Sequence, residues 1–277
     1  MKVALLQICS SDDPAENLGM VTGQIDQAAK AGATFILTPE VTNCVSTSRT
    51  HQMQVLRPQA DDPTLKALQA EAARHGIWLL IGSLALKTDD PDGRFANRSF
   101  LIDPSGRITA HYDKIHMFDV NISETEAYHE SKGYRPGTSA TLARTDIGTI
   151  GLTICYDLRF PHLYRDLAQA GAQIITVPSA FSPVTGAAHW EPLLRARAIE
   201  TGCFILAPAQ TGTHSATRGK PRKTYGHSMV IAPWGDVLSQ AENGPEILYA
   251  TLDLSQVEAA RQKVPSLTHD RGYTAPL

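Results

Sequence analysis

The stretch GTIGLTICYDLRFPHLYRDLAQAGAQIITVPSAF, residues 148–181, fixes how the chain is to be read. An apolar, strand-like run at 150–154 gives way to a polar turn, and a helix-like segment begins at Pro161. Cys155 falls where the strand ends. A side chain there is held by the sheet yet meets a cleft, and the N–H groups of the turn can face a developing oxyanion. That placement suits attack by a thiolate.

Outward from this stretch, strands alternate with amphipathic helices. Strands are expected at 3–8, 34–37 and 78–86, and helices at 15–31 and 63–76. Turn residues at 90–94 and 104–106 bracket another strand, 100–102, in a hairpin, and the alternation resumes after Cys155. The pattern is that of one α/β domain over residues 1–277. Two segments look alike: AAKAGATFILTPE (28–40) and LAQAGAQIITVPS (167–179) both run from a helix end through glycine into an apolar strand and then proline. Glycine at a helix C-terminus is common to any αβ connection. Alternatively the halves are pseudo-equivalent, and Glu40 and residues 179–181 share a rim.

Composition removes several classes. A 277-residue chain with 42% hydrophobic residues is long enough for one large core. With 25 Lys+Arg against 28 Asp+Glu, nothing global favours nucleic acid or an anionic membrane. No apolar run approaches the ~18 residues of a membrane span, and MKVALLQICSSDD reads as a first strand rather than a secretory signal. Cys9, Cys44, Cys155 and Cys203 are scattered without a CxxC pair, which disfavours a zinc cage or disulfide framework and fits a reducing cytoplasm. The chain has no HExxH and no acidic calcium loop, and TRGKP at Thr217 lacks P-loop spacing, so no metal or cofactor is expected.

A nucleophilic cysteine needs a base or a positive charge nearby, because the free thiol is only partly ionised near neutral pH. Glu40 in FILTPEV is the best-placed base: Pro39 offers no N–H to a ladder, so the strand ends and leaves Glu40 at its edge. Lys114 in HYDKIHMFD follows a strand-like run at 108–112 and supplies the charge. Glu40 would take the thiol proton and return one to a leaving amine, while Lys114 and the Tyr156 N–H steady the oxyanion. Opposite charges nearby would keep a buried lysine ionised.

These residues resemble the motifs of the nitrilase superfamily of carbon–nitrogen hydrolases: TPE with Glu40, DKIHMFD with Lys114 and CYDLRFP with Cys155. The resemblance covers essentially the whole chain. KIHMFDV, Glu130-Ser131-Lys132 before Pro136-Gly137, HWEPLLRARAIE and YGHSMVIAPWG are similar to its Nit branch of small amidases. It implies a four-layer αββα sandwich, a role for Glu130 as a second glutamate positioning lysine and substrate, and a homodimer built on the HWEPLLRARAIE helix, the helix after Cys155 and residues 257–277. It implies hydrolysis of a small carboxylate-bearing amide. Of two activities in the branch, RARAIETGCF and AQTGTH favour deaminated glutathione as substrate, whereas Asn43 is a feature of omega-amidases acting on 2-oxoglutaramate or 2-oxosuccinamate. Action on nitriles, or a scaffold without chemistry, are the rival readings.

Arg159, just after the nucleophile turn, is the first choice for gripping a substrate carboxylate, since a guanidinium offers two parallel hydrogen bonds. A structural pairing with Asp157 or a glutamate is the alternative. Phe181 and Thr185 could wall and cap the pocket, or belong to the core. Arg195, Arg197 and Glu200 are spaced as a helical ion-pair face. His116 could shape the lysine loop, and loops 118–132 and 211–223 are expected to set specificity.

Overall fold

The computed structural model describes residues 1–122, 124 and 126–274. The first half runs β1 (Lys2–Gln7), α1 (Pro14–Lys30), β2 (Phe35–Leu37), α2 (Arg49–Val55), α3 (Pro63–His75), β3 (Trp78–Leu86), β4 (Ala96–Ile102) and β5 (Ile108–Asp113). A short hairpin follows, β6 (Asp119–Asn121) and β7 (Ala127–His129). The second half runs β8 (Thr141–Thr145), β9 (Gly148–Leu152), a 3-10 turn at Cys155–Arg159, α4 (Pro161–Gln169), β10 (Ile174–Thr176), α5 (Pro183–Thr201) and β11 (Phe204–Ala207). A second hairpin, β12 (Thr211–His214) and β13 (Arg222–Tyr225), precedes β14 (Met229–Ile231), β15 (Val237–Gln240), β16 (Glu246–Thr251) and α6 (Ser255–Lys263).

The strands form two six-stranded sheets, ordered β16-β1-β2-β3-β4-β5 and β15-β14-β11-β10-β9-β8. Each contains three parallel strands joined by helices, β1-β2-β3 and β9-β10-β11, continued by antiparallel ones. Alternation along β1 shows the layering. Val3 and Leu5 belong to the core shared with the second sheet, whereas Ala4 and Leu6 pack with Val21, Ile25, Leu65 and Leu68 of α1 and α3. Strands covered on both faces read as continuous apolar runs, which is why β3 is buried throughout. The result is the expected αββα sandwich.

The helices start on sequence signals. Asp13, Asp62 and Ser182 cap α1, α3 and α5 with side-chain oxygens, each followed by proline at the first helical position. Proline suits that place because its missing N–H would have no partner there. The backbone is tightly enclosed at Gly82 in β3, where a Cβ would lie 1.8 Å from the Thr38 carbonyl oxygen and 2.4 Å from the Pro178 side chain. No other residue fits.

The look-alike segments are indeed equivalent in position. Thr38, one residue past β2, donates to Leu80 O at 2.9 Å, and Val177, one past β10, donates to Leu206 O at 2.8 Å. Each strand end is thus bonded to its parallel neighbour in the same way, and the two ends adjoin, since a Cβ at Gly82 would meet both Thr38 O and the Pro178 side chain. The strand expected at 100–102 begins earlier, at Ala96, and α5 begins at Pro183, ahead of the HWEPLL motif.

Candidate active site

Glu40 stands two residues beyond Thr38, on the rim that the two strand ends share. Its Oε2 accepts the Ala180 N–H at 2.8 Å, so the segment after β10 closes directly onto the acid from β2. Its Oε1 accepts Lys114 Nζ at 2.8 Å and Asn97 Nδ2 at 2.9 Å. The backbone on either side of the cleft is strained. Val41 and Cys155 have φ of +48° and +51°, a region that side chains with a Cβ rarely occupy. Ser83 Oγ fixes the first by accepting Val41 N–H at 2.8 Å, and Pro178 O fixes the second by accepting Cys155 N–H at 3.0 Å.

Lys114 follows β5 and is 2% exposed. Its Nζ lies 2.8 Å from Glu40 Oε1 and 3.0 and 2.8 Å from the two oxygens of Glu130. Glu130, in a 3-10 turn after β7, is held in turn by the Phe118 N–H at 2.7 Å. Lys114 N–H donates to Asn97 O at 3.0 Å, so Asn97 fixes the lysine by its backbone and the glutamate by its side chain. Burial works against the lysine charge, yet Glu130 and Glu40 outweigh it and lift the pKa well above its usual value. For Glu40, burial pushes upward, but Lys114 and Arg222 prevail and hold it below its ordinary 4.5. For Cys155, burial and the Glu40 charge raise the thiol pKa, opposed by Lys114. The resting pair is thus a neutral thiol beside a carboxylate.

Asp157 ties these elements together. Fully buried, it accepts Ile154 N–H at 2.8 Å and Tyr112 O–H at 2.8 Å on one oxygen, and His116 N–H at 3.1 Å on the other, with His116 Nδ1 at 2.7 Å. One carboxylate therefore grips the turn before the cysteine, the Tyr112 side chain ahead of the lysine and the His116 backbone after it. His116 has the expected place beside the lysine loop, stacked on Phe160 at 3.5 Å. The Tyr156 N–H makes no hydrogen bond to the described residues.

Glu40, Lys114, Glu130 and Cys155 line one cavity of about 330 Å³. Tyr156 and Phe181 wall a small adjoining hollow that also reaches Cys155. Arg159 lies behind that hollow, 5.9 and 5.6 Å from the Tyr156 and Phe181 ring centres, with Nη1 and Nη2 at 3.3 and 3.2 Å from His189 Nδ1. The alternative pairing with Asp157 is not formed, because Asp157 is occupied by the groups just named. Thr185 sits in the first turn of α5, its Oγ1 3.0 Å from the capping Ser182 Oγ, and lines neither hollow. Arg197 and Glu200 form the expected ion pair at 2.8 Å, and Arg197 Nε also supports Leu158 O at 2.9 Å behind the nucleophile turn; Arg195 pairs instead with Glu191. Asn43 is buried, with its amide spent on both backbone groups of Ala85.

Three participants escaped the sequence reading: Asn97, the Ala180 N–H and Arg222. Arg222 lies on β13, lines the larger cavity and donates to Ala180 O at 2.7 Å. Its only sequence signal is the basic run TRGKPRK inside the loop expected to set specificity. Residues 123 and 125 of loop 118–132, and residues 275–277 of the C-terminal segment, lie outside the described residues. Among the described residues there is no group of His, Cys, Asp and Glu placed to hold a metal ion, and no helix long and apolar enough to cross a membrane.

A sandwich with a cysteine, a carboxylate and an ammonium converging on one cleft defines a hydrolase of C–N bonds. Residues 2–262 match the family described as carbon-nitrogen hydrolase, and the chain belongs to it. It is 40% identical to the deaminated glutathione amidase of Yersinia enterocolitica over 97% of this chain and 92% of that protein. Among solved structures it is similar to Saccharomyces cerevisiae Nit3, described as a member of branch 10 of the nitrilase superfamily (TM-score 0.85, 31% identity, 99% of this chain and 97% of that one). It is also similar to the NitFhit protein of C. elegans (TM-score 0.88, 36% identity), covering 98% of this chain but 65% of that longer one.

Proposed function

We propose that this chain hydrolyses the amide of deaminated glutathione through a thioester on Cys155. The observation that carries the reading is the convergence of Glu40, Lys114 and Cys155 on one shielded cavity, with Lys114 Nζ 2.8 Å from the acid. Cys155 attacks the amide carbon while Glu40 takes its proton; Lys114 and the Tyr156 N–H carry the charge that develops on oxygen. The C–N bond breaks as Glu40 returns the proton to the departing amine. Water, deprotonated by Glu40, then attacks the thioester, and the thiol is restored. Glu130 holds Lys114 in place throughout.

The substrate rests on the 40% identical Yersinia relative of that name. The sequence feature favouring an omega-amidase, Asn43, has its side chain committed to Ala85. Steady-state rates on deaminated glutathione, 2-oxoglutaramate and a nitrile, measured side by side, test the reading. Highest kcat/KM on deaminated glutathione supports it, and preference for either of the others refutes it.

The direction of each pKa fixes the pH dependence. Because Glu40 is held below its ordinary value, the base is lost only as the pH falls into the acid range. Because the Cys155 thiol and Lys114 are both raised, neither loses its proton on the alkaline side near neutrality. The kcat/KM profile on an uncharged amide should therefore stay flat from about pH 6 to about pH 9. An inflection near the ordinary thiol value of 9.0 would refute the thiol–carboxylate resting pair.

A homodimer and a cytoplasmic location complete the proposal. The first is supported by large apolar side chains left exposed on and beside α5, including Ile199 and Trp234, and the second by four unpaired cysteines. Sedimentation at the 30.0 kDa of one chain would refute the dimer, and recovery of the protein outside the cytoplasm would refute the location.

A further inference from the structure

Cys155 stands where the two hollows meet. Cys155 and Phe118 line both, but Glu40 and Lys114 line only the larger one, and Arg222 lines it with them. In acyl transfer, the group that protonates the departing nitrogen must lie beside it. With Glu40 in that role, the leaving amine is directed into the larger hollow, the one that Arg222 faces.

Arg222 has donors to spare. Nη2 is used by Ala180 O at 2.7 Å, and the guanidinium lies 6.0 Å from the Tyr128 ring centre. Its Nε is buried without a hydrogen-bond partner, and the side chain forms no ion pair among the described residues. It lines the cavity together with Glu40 and Cys155 and meets Glu40 across one residue, Ala180, whose O accepts from Arg222 and whose N–H donates to Glu40. A guanidinium carries five N–H groups in a fork that matches a carboxylate, and a buried donor without an acceptor is costly to maintain. Such a group facing a cavity is arranged for an anion that arrives with the substrate. Arg159, by contrast, stands behind the smaller hollow, against His189.

We propose that Arg222 seats a carboxylate carried by the leaving amine, and so selects amides whose amine part ends in a carboxylate over primary amides. This rests on the roles given above to Cys155 and Glu40. It makes Arg222 the residue that separates a peptide-like substrate from 2-oxoglutaramate, whose leaving group is ammonia.

The test uses two amides with the same 2-oxoglutaryl acyl group, one releasing cysteinylglycine and the other cysteinylglycinamide, so that only the terminal carboxylate differs. Wild-type protein should favour the carboxylate by about 10- to 100-fold in kcat/KM, mostly through KM. Arg222→Met should reduce that preference to within about twofold, and Arg222→Lys, which keeps the charge but not the fork, should retain part of it. No preference in the wild type overturns the assignment, as does an Arg222→Met variant that loses both amides alike, which would reduce the arginine to a prop for Ala180. If Arg222→Met does not fold, Arg222→Lys decides, since a preference as large as the wild type's overturns the seat. Wild-type protein that cleaves neither amide yet releases ammonia from 2-oxoglutaramate refutes the substrate reading itself, before any variant is made.

Discussion

Replacing Cys155 with alanine should lower amide hydrolysis by at least about 10⁴-fold while the protein stays folded. The site leaves the variant no substitute. Cys203 lies outside the cavity, and Cys44, which lines it, has its Sγ turned to Asp12 O at 3.6 Å, where burial and the Asp12 charge push its thiol up to about 12. Cys9 is half-buried beside His214, away from the Glu40 cavity. The fold should tolerate the change, because alanine keeps the backbone N–H that bonds Pro178 O and removes one sulfur from a site already next to open space. Its stability should therefore fall by no more than about 1–2 kcal/mol. Hydrolysis rates together with urea unfolding check both halves of the expectation. Residual activity near wild type would mean that another group attacks.

Replacing Glu40 with glutamine should cost at least about 10³-fold in rate, and here stability should fall as well. The carboxylate accepts three donors: Lys114 Nζ and Asn97 Nδ2 on one oxygen and Ala180 N–H on the other. A glutamine has one oxygen and one NH₂ group, so either orientation sets a donor against a donor in a buried place. The conflict should destabilise the fold by about 1–3 kcal/mol. Lys114 also loses one of its two counter-charges, which leaves Glu130 alone to hold it. Thiol–proton transfer has no acceptor in this variant, so the loss should appear in kcat. A variant with unchanged kcat and raised KM would place Glu40 in binding instead.

The parts of this site that the sequence makes legible are those at the ends of apolar strands. Pro39 and Pro178 stop two strands whose ends adjoin, and Cys155 follows a third, so nucleophile, base and rim can be read from hydrophobic runs and punctuation. Glu130 is not legible that way. It sits in a 3-10 turn after a three-residue strand, and only resemblance points to it. Asn97 is hidden for a physical reason: β4 buries two polar side chains, Asn97 for the site and Ser99 on Gly82 O, so the apolar pattern reads as a strand only from residue 100. The Ala180 N–H has no side-chain signature, and Arg222 looks like one more solvated charge in a basic run until β12 and β13 pair and carry it to the cavity. Helix α2 has seven residues and one buried side chain, too few for a periodic pattern.

The thioester itself can be weighed. Mixing the protein with deaminated glutathione, quenching in acid within the first turnover and digesting should give a peptide containing Cys155 heavier by one 2-oxoglutaryl group, absent when Cys155→Ala is treated in the same way. An acyl group on the peptide of Cys9, Cys44 or Cys203, or product release with no acyl group ever bound to the protein, would contradict covalent catalysis at Cys155.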